Sequence, residues 1–135
     1  MNEINTAIYG KLQAGTALTA LLAGTTSIYH QQPPDNTSMP YVIFNHQGGG
    51  NENINPSPMI NSVYFIRGYS ESSALAAGSI RQEIYNLLDG KALSPTGGWV
   101  NFWCKAEAHV EQIENLPNGK KAYMCGDFYR VRLDK

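Results

Sequence analysis

The most regular alternation of apolar and polar positions runs from Val100 to Glu111. Val100, Phe102, Cys104, Ala106, Ala108 and Val110 are apolar or small, and Asn101, Trp103, Lys105, Glu107, His109 and Glu111 separate them. That period of two predicts a long strand with one buried face. Leu116-Pro117-Asn118-Gly119 supplies a turn, and Tyr123 to Leu133 returns with Tyr129, Val131 and Leu133 on one face and Arg130 and Arg132 on the other. Earlier in the chain, residues 62 to 69 are β-branched and aromatic, which suits a half-buried strand. Ala76, Ile80, Ile84, Leu87 and Leu88 then recur at helical spacing, with Ser70 or Ser72 able to cap the start and Gly90 the end. From Glu71 to Leu88 such a helix spans about 27 Å. A strand feeding into a helix of that length predicts a sheet with the helix laid across one face.

The N-terminal stripe of Ile4, Ala7, Ile8 and Leu12 predicts a helix over residues 3 to 14, and Leu18, Leu21 and Leu22 a short second one ending at Gly24. Ile28-Tyr29 begins a short extended segment before Pro33-Pro34, and Pro40 introduces a strand over Tyr41 to Phe44. Residues 47 to 58 hold three glycines, three asparagines and two prolines with one large apolar side chain, Ile54. That composition predicts a loop too polar to order on its own core. The order reads ααββαββ: an α+β fold with a mostly antiparallel sheet, one long helix packed across a face, and N-terminal helices. No repeat or boundary divides residues 1 to 135, so one domain is expected.

Composition narrows the function. Of 135 residues 42% are hydrophobic, enough for a core, and the formal net charge of −1 gives no overall basic excess for nucleic acid or anionic membrane. No apolar run approaches about 18 residues, so no membrane span is expected. Met1 to Asn5 lacks the pattern of a secretory signal, which places synthesis in a cytoplasm. Cys104 and Cys125 are the only cysteines. A turn at Asn118-Gly119 sets Cys104 opposite a residue near 133, which argues for two free thiols. Zinc would need more soft ligands at tighter spacing, and His30, His46 and His109 lie far apart with no cysteine or carboxylate at ligand spacing.

Catalytic chemistry finds no support. Gly48-Gly49-Gly50 is followed by no Lys-Ser/Thr and opens no helix, so a phosphate cradle lacks its context. Gly78-Ser79 lies inside a helix and not on a nucleophile elbow. Trp99 and Trp103, four residues apart on a strand, fall on one face with Lys105; they are either an exposed aromatic pair that anchors an interface or rings covered within the monomer. Stacking of RNA bases on them is opposed by the low basic content and by Glu107 and Glu111 on that face.

Taken in order, these pieces resemble the tail terminator (tail completion) proteins of long-tailed bacteriophages. The likeness rests on Ile4 to Leu12, Ala17 to Gly24, Ile28-Tyr29, Pro40 to Ile43, Tyr69-Ser70, Leu88 to Gly90 and Tyr129-Arg130-Val131. It departs after Val110, where relatives often carry an Asp-rich turn and this chain has Asn115 to Gly119. The resemblance implies a structural protein of the virion tail or neck, with no catalysis and no cofactor, made in the host cytoplasm. It implies a self-assembled ring, a hexamer, at the head-proximal end of the tail tube. The ring stops tube growth, meets the major tail tube protein and the head-tail connector protein, and lets DNA pass without specific binding. Gln47, Gly49, Asn51, Glu52 and Asn53 from the loop, and Trp99, Trp103 and Lys105 from the long strand, are the candidate interface residues. The alternative is a small ligand-binding or enzymatic α+β domain, which needs a pocket with convergent polar groups.

Overall fold

The computed structural model describes residues 2–52, 59–95, 97–117 and 119–134. Two N-terminal helices, α1 (Asn2–Gln13) and α2 (Thr16–Thr19), precede β1 (Ile28–His30), β2 (Tyr41–Glu52) and β3 (Met59–Ser70); α3 (Ala74–Leu88), β4 (Val100–Asn115) and β5 (Lys121–Asp134) follow. The strands form one sheet in the order β1-β2-β3-β5-β4, antiparallel except for the β1–β2 pair. The expected α+β architecture is therefore present, with β1 as a parallel edge strand where the sequence indicated only a short extended segment.

The helices cover one face. Ile4, Ile8 and Leu12 of α1 and Ile80, Ile84 and Leu88 of α3 bury against Val42, Phe44, Tyr64, Ile66, Tyr129, Val131 and Leu133. Tyr64 is fully buried, and its hydroxyl donates to Asn5 Oδ1 at 2.8 Å, which ties α1 to the sheet's centre. Close approach of α3 depends on Gly68: a Cβ there would lie 2.3 Å from Ile80 Cγ2. The opposite face carries a smaller apolar cluster of Ile43, Tyr69, Ala122 and Met124, with Phe65 stacked on Phe128 at 4.6 Å between ring centroids.

α3 starts later than the sequence suggested. Ser70 ends β3, where its hydroxyl accepts from Ser72 N at 3.2 Å, and the cap is Ser73, whose hydroxyl accepts from Ala76 N at 3.1 Å. The loop expected from residue 47 is also corrected. Strand β2 continues through Gly48, Gly49, Gly50 and Asn51 to Glu52, paired with Val63 to Met59. A bulge at Gln47 absorbs one residue, and Gly49, at φ 82°, sits where a Cβ would meet Asn61 O at 2.2 Å. Gly49 therefore serves a close backbone approach within a strand, and local composition was the wrong guide. Only 53–58 remain between the strands, and they lie outside the described residues.

Candidate functional site: the long edge strand and its polar cluster

β4 is a sixteen-residue edge strand, and its two bulges decide what each face presents. The register shifts between Asn101 and Trp103 and again between Ala106 and Ala108. Each shift adds one residue to β4 and exchanges the faces beyond it. Cys104 and Ala106 pair with Val131 and Tyr129 on the helix-covered side, whereas Ala108 and Val110 pair with Phe128 and Gly126 on the other. The single buried face expected from Val100 to Val110 is thus two shorter stretches on opposite sides. The same shifts correct the tryptophan pair. Trp99 packs against the helix-side core, and Trp103, opposite Arg132, is half-buried on the far face.

The remaining interface candidates also separate. Lys105 is exposed opposite Arg130. Gln47 is the exposed bulge residue, Gly49 pairs with Ser62, and Asn51 and Glu52 pair with Ile60 and Met59 at the far end of the β2–β3 hairpin. Asn53 lies outside the described residues. The candidates accordingly form two groups, one on β4 and one on the hairpin. The face away from the helices adds Arg67, Arg130 and Arg132 to Lys105, a local basic row that the net charge conceals. Arg67 lies 4.6 Å over the Phe65 ring, while Arg130 pairs with Glu107 and donates to Asn61.

Beyond the second bulge, His109 and Glu111 turn toward the helix side and join a cluster that the sequence reading missed. Its centre is Asp127, only 1% exposed. Arg81 of α3 donates to both its oxygens, Nε to Oδ2 at 2.7 Å and an Nη2 hydrogen to Oδ1 at 3.2 Å. His109 Nδ1 donates to Oδ1 at 3.0 Å. The other ring nitrogen, Nε2, lies 3.1 Å from Glu111 Oε1 and 3.8 Å from Cys125 Sγ, and Cys125 Sγ lies 3.7 Å from Glu111 Oε1. With a carboxylate on each ring nitrogen, first Glu111 and then Asp127, the imidazole is pushed toward its charged form. The contact with His109 holds the Glu111 carboxyl below its usual range. Burial, reinforced by Glu111, pushes the Cys125 thiol up to about 11. The sequence reading that set His109 beside no cysteine or carboxylate is therefore wrong. Glu111 lies two residues away along the strand, and cross-strand pairing brings Asp127 and Cys125 opposite.

Cys104 and Cys125 are both free. Cys104 faces Val131 and Cys125 faces Glu111, so pairing keeps them apart as expected. The expected partner near 133 is displaced by two positions, because the strands enter the turn with Asn115 opposite Lys121 and Glu107 is bulged.

An open groove of about 410 Å³ begins beside this cluster, lined by Ala74, Ala77, Glu111, Ile113, Tyr123 and Cys125. Ile113 at its rim and Leu75 on the first turn of α3 are 59% and 81% exposed, unusual for side chains of this size. Among the described residues no helix is long and apolar enough to cross a membrane.

The family model described as "Tail completion protein gp17" matches residues 6–116. No curated protein matches in sequence. Among solved structures, a chain in the "Virion of native gene transfer agent (GTA) particle" superposes with a TM-score of 0.77 at 16% identity, over 98% of this chain and 95% of that one. At that identity the likeness is one of fold.

Proposed function

Because the chain belongs to the tail completion protein gp17 family, we propose that it acts as one domain, without catalysis, in a ring that finishes the phage tail. The ring, a hexamer, sits at the head-proximal end of the tail tube, stops tube polymerisation, and joins tail to head by contacting the tube protein on one side and the connector on the other. DNA passes through it without specific binding.

The observation that carries the ring is the outer edge of β4. A long edge strand presents backbone donors and acceptors to any neighbour. Among the described residues, its own chain covers it near its middle, where Gly90 N donates to Cys104 O at 2.8 Å and Ala106 N to Asp89 Oδ1 at 3.0 Å. Beyond that point the edge runs beside the apolar groove with Ile113 and Leu75 exposed. Closed rings of identical subunits need two different patches that fit each other. The β4 edge with Ile113 and Leu75 is one; the far end of the β2–β3 hairpin, with Gln47, Gly49, Asn51 and Glu52, is the other. Trp103 and Lys105 on the far face are assigned to contacts with tube or connector. Assembly into a virion is supported by the fold shared with the gene transfer agent chain.

The test pairs oligomeric state with capping. Wild-type protein should run as a ring in native mass spectrometry and leave tube lengths uniform in electron micrographs. The double variant Leu75→Asp/Ile113→Asp should keep its circular dichroism and thermal midpoint but run as a monomer and let tubes overgrow. A monomeric wild type on capped tubes, or normal capping by the variant, overturns the ring or the patch, respectively.

A further inference from the structure

The geometry points to a zinc site in each chain, formed by His109 Nε2, Glu111 Oε1 and Cys125 Sγ, with its fourth position open to solvent beside the α3 groove. These three atoms lie within 4.8 Å of one another. Their separations of 3.1, 3.8 and 3.7 Å outline one face of a tetrahedron. Zinc bonds of about 2.0–2.1 Å to nitrogen, 2.0–2.2 Å to oxygen and 2.3 Å to sulfur give ligand–ligand edges of roughly 3.3–3.6 Å at tetrahedral angles. A point about 2.2 Å from all three atoms therefore stands about 0.8 Å out of their plane, close to where a tetrahedral ion sits above three of its ligands. The donors need to move by only a few tenths of an ångström.

The surroundings match in two further respects. Asp127, itself buried, accepts from His109 Nδ1, which fixes the ring and leaves Nε2 as the ligating nitrogen. A carboxylate behind a ligating imidazole is the usual second partner at zinc centres. Arg81 in turn holds both oxygens of Asp127, so this support is rigid. The charge also balances. The Glu111 carboxylate and the Cys125 thiolate together offset the two positive charges of one divalent ion. Thiolate, imidazole and carboxylate together favour zinc over magnesium or calcium, which take oxygen ligands. With the Glu111 side chain 71% exposed and the His109 side chain 43% exposed, the fourth position is open to water.

Cobalt(II) is the probe. Untagged, chelator-treated protein titrated with Co²⁺ should show one equivalent bound, a thiolate-to-cobalt charge-transfer band and the visible bands of tetrahedral cobalt, all displaced by one equivalent of Zn²⁺. Cys125→Ser should abolish the charge-transfer band, and Cys104→Ser should leave it unchanged. Glu111→Gln, at an exposed position that tolerates replacement, should weaken Co²⁺ binding at least about tenfold and serves if Cys125→Ser does not fold. Asp127→Asn should weaken it about 10–100-fold. Absence of tetrahedral cobalt bands in the wild type, or their persistence unchanged in Cys125→Ser or Glu111→Gln, overturns the site.

Discussion

Docking of α3 on the sheet can be tested at one contact. Gly68 lies under Ile80, and an alanine Cβ there would be 2.3 Å from Ile80 Cγ2 and 2.9 Å from Ile80 Cβ. Both distances are far inside van der Waals contact, and backbone on one side and a fully buried side chain on the other leave little room to yield. Gly68→Ala should therefore cost about 2–3 kcal/mol, near the upper end for overpacking, even after a small gain from replacing a strand glycine. Ile80→Ala alone removes three buried carbons and should cost about 3–4 kcal/mol. In the double variant the new methyl enters space that Ile80 vacated, and only the 2.9 Å contact with the residue-80 Cβ still requires a shift. The double variant should then fall short of the summed losses by at least about 1 kcal/mol, well beyond the roughly 0.5 kcal/mol within which independent sites add. Urea denaturation of all four proteins measures this coupling, with unchanged slopes required for the comparison. Additivity within about 0.5 kcal/mol would refute close packing of α3 on β3.

Other expectations follow from single contacts. Asp127→Ala leaves Arg81 and His109 without their shared anion in a mostly buried position and should cost about 2–4 kcal/mol by urea denaturation, somewhat under the full range for a broken buried pair because Arg81 remains partly exposed. Gly49→Ala combines a positive φ with a Cβ 2.2 Å from Asn61 O, so it should lower the thermal midpoint by several degrees; an unchanged midpoint would mean that β2 does not continue past Gln47. Thiol titration of denatured, non-reduced protein should find two free groups. The Asp89 carboxyl is held below its usual range chiefly by the hydrogen bond from Ala106 N. Its folded pKa lies below the unfolded one, so its contribution is present above the unfolded value and is lost as pH falls through the folded one. The stability difference between wild type and Asp89→Asn should therefore be constant at neutral pH and shrink below about pH 4.

Much of the fold was legible because burial on one side imposes a period. Ile80, Ile84 and Leu88 mark α3, and Tyr129, Val131 and Leu133 mark β5, since each pattern repeats what one continuous face needs. Gln47 to Glu52 failed for a reason that local reading cannot avoid. Glycine, asparagine and glutamine have little strand preference, and it is the partner strand from Met59 to Val63 that holds them extended. The start of α3 slipped by three residues because three serines and a glutamate around it all offer capping chemistry, and only the end of β3 pairing at Ser70 selects Ser73.

The cluster around Asp127 was hidden by the feature that made β4 easiest to recognise. Strict alternation put Ala108 and Val110 on the buried side and sent His109 and Glu111 to solvent on the far face. Bulging one residue, Glu107, between Ala106 and Ala108 reverses both assignments. An inserted residue leaves no trace in an apolar pattern when the displaced positions are alanines, because alanine is acceptable on either side of a sheet. Val110 then finds apolar neighbours on the far face, and His109 reaches Asp127 on the helix side. Glu107 itself pairs with Arg130 on the far face, so the bulged residue also engages the basic row there. One extra residue in an edge strand thus determines both the chemistry beside α3 and the charge on the opposite face. Bulges at strand edges commonly serve to re-aim side chains in this way.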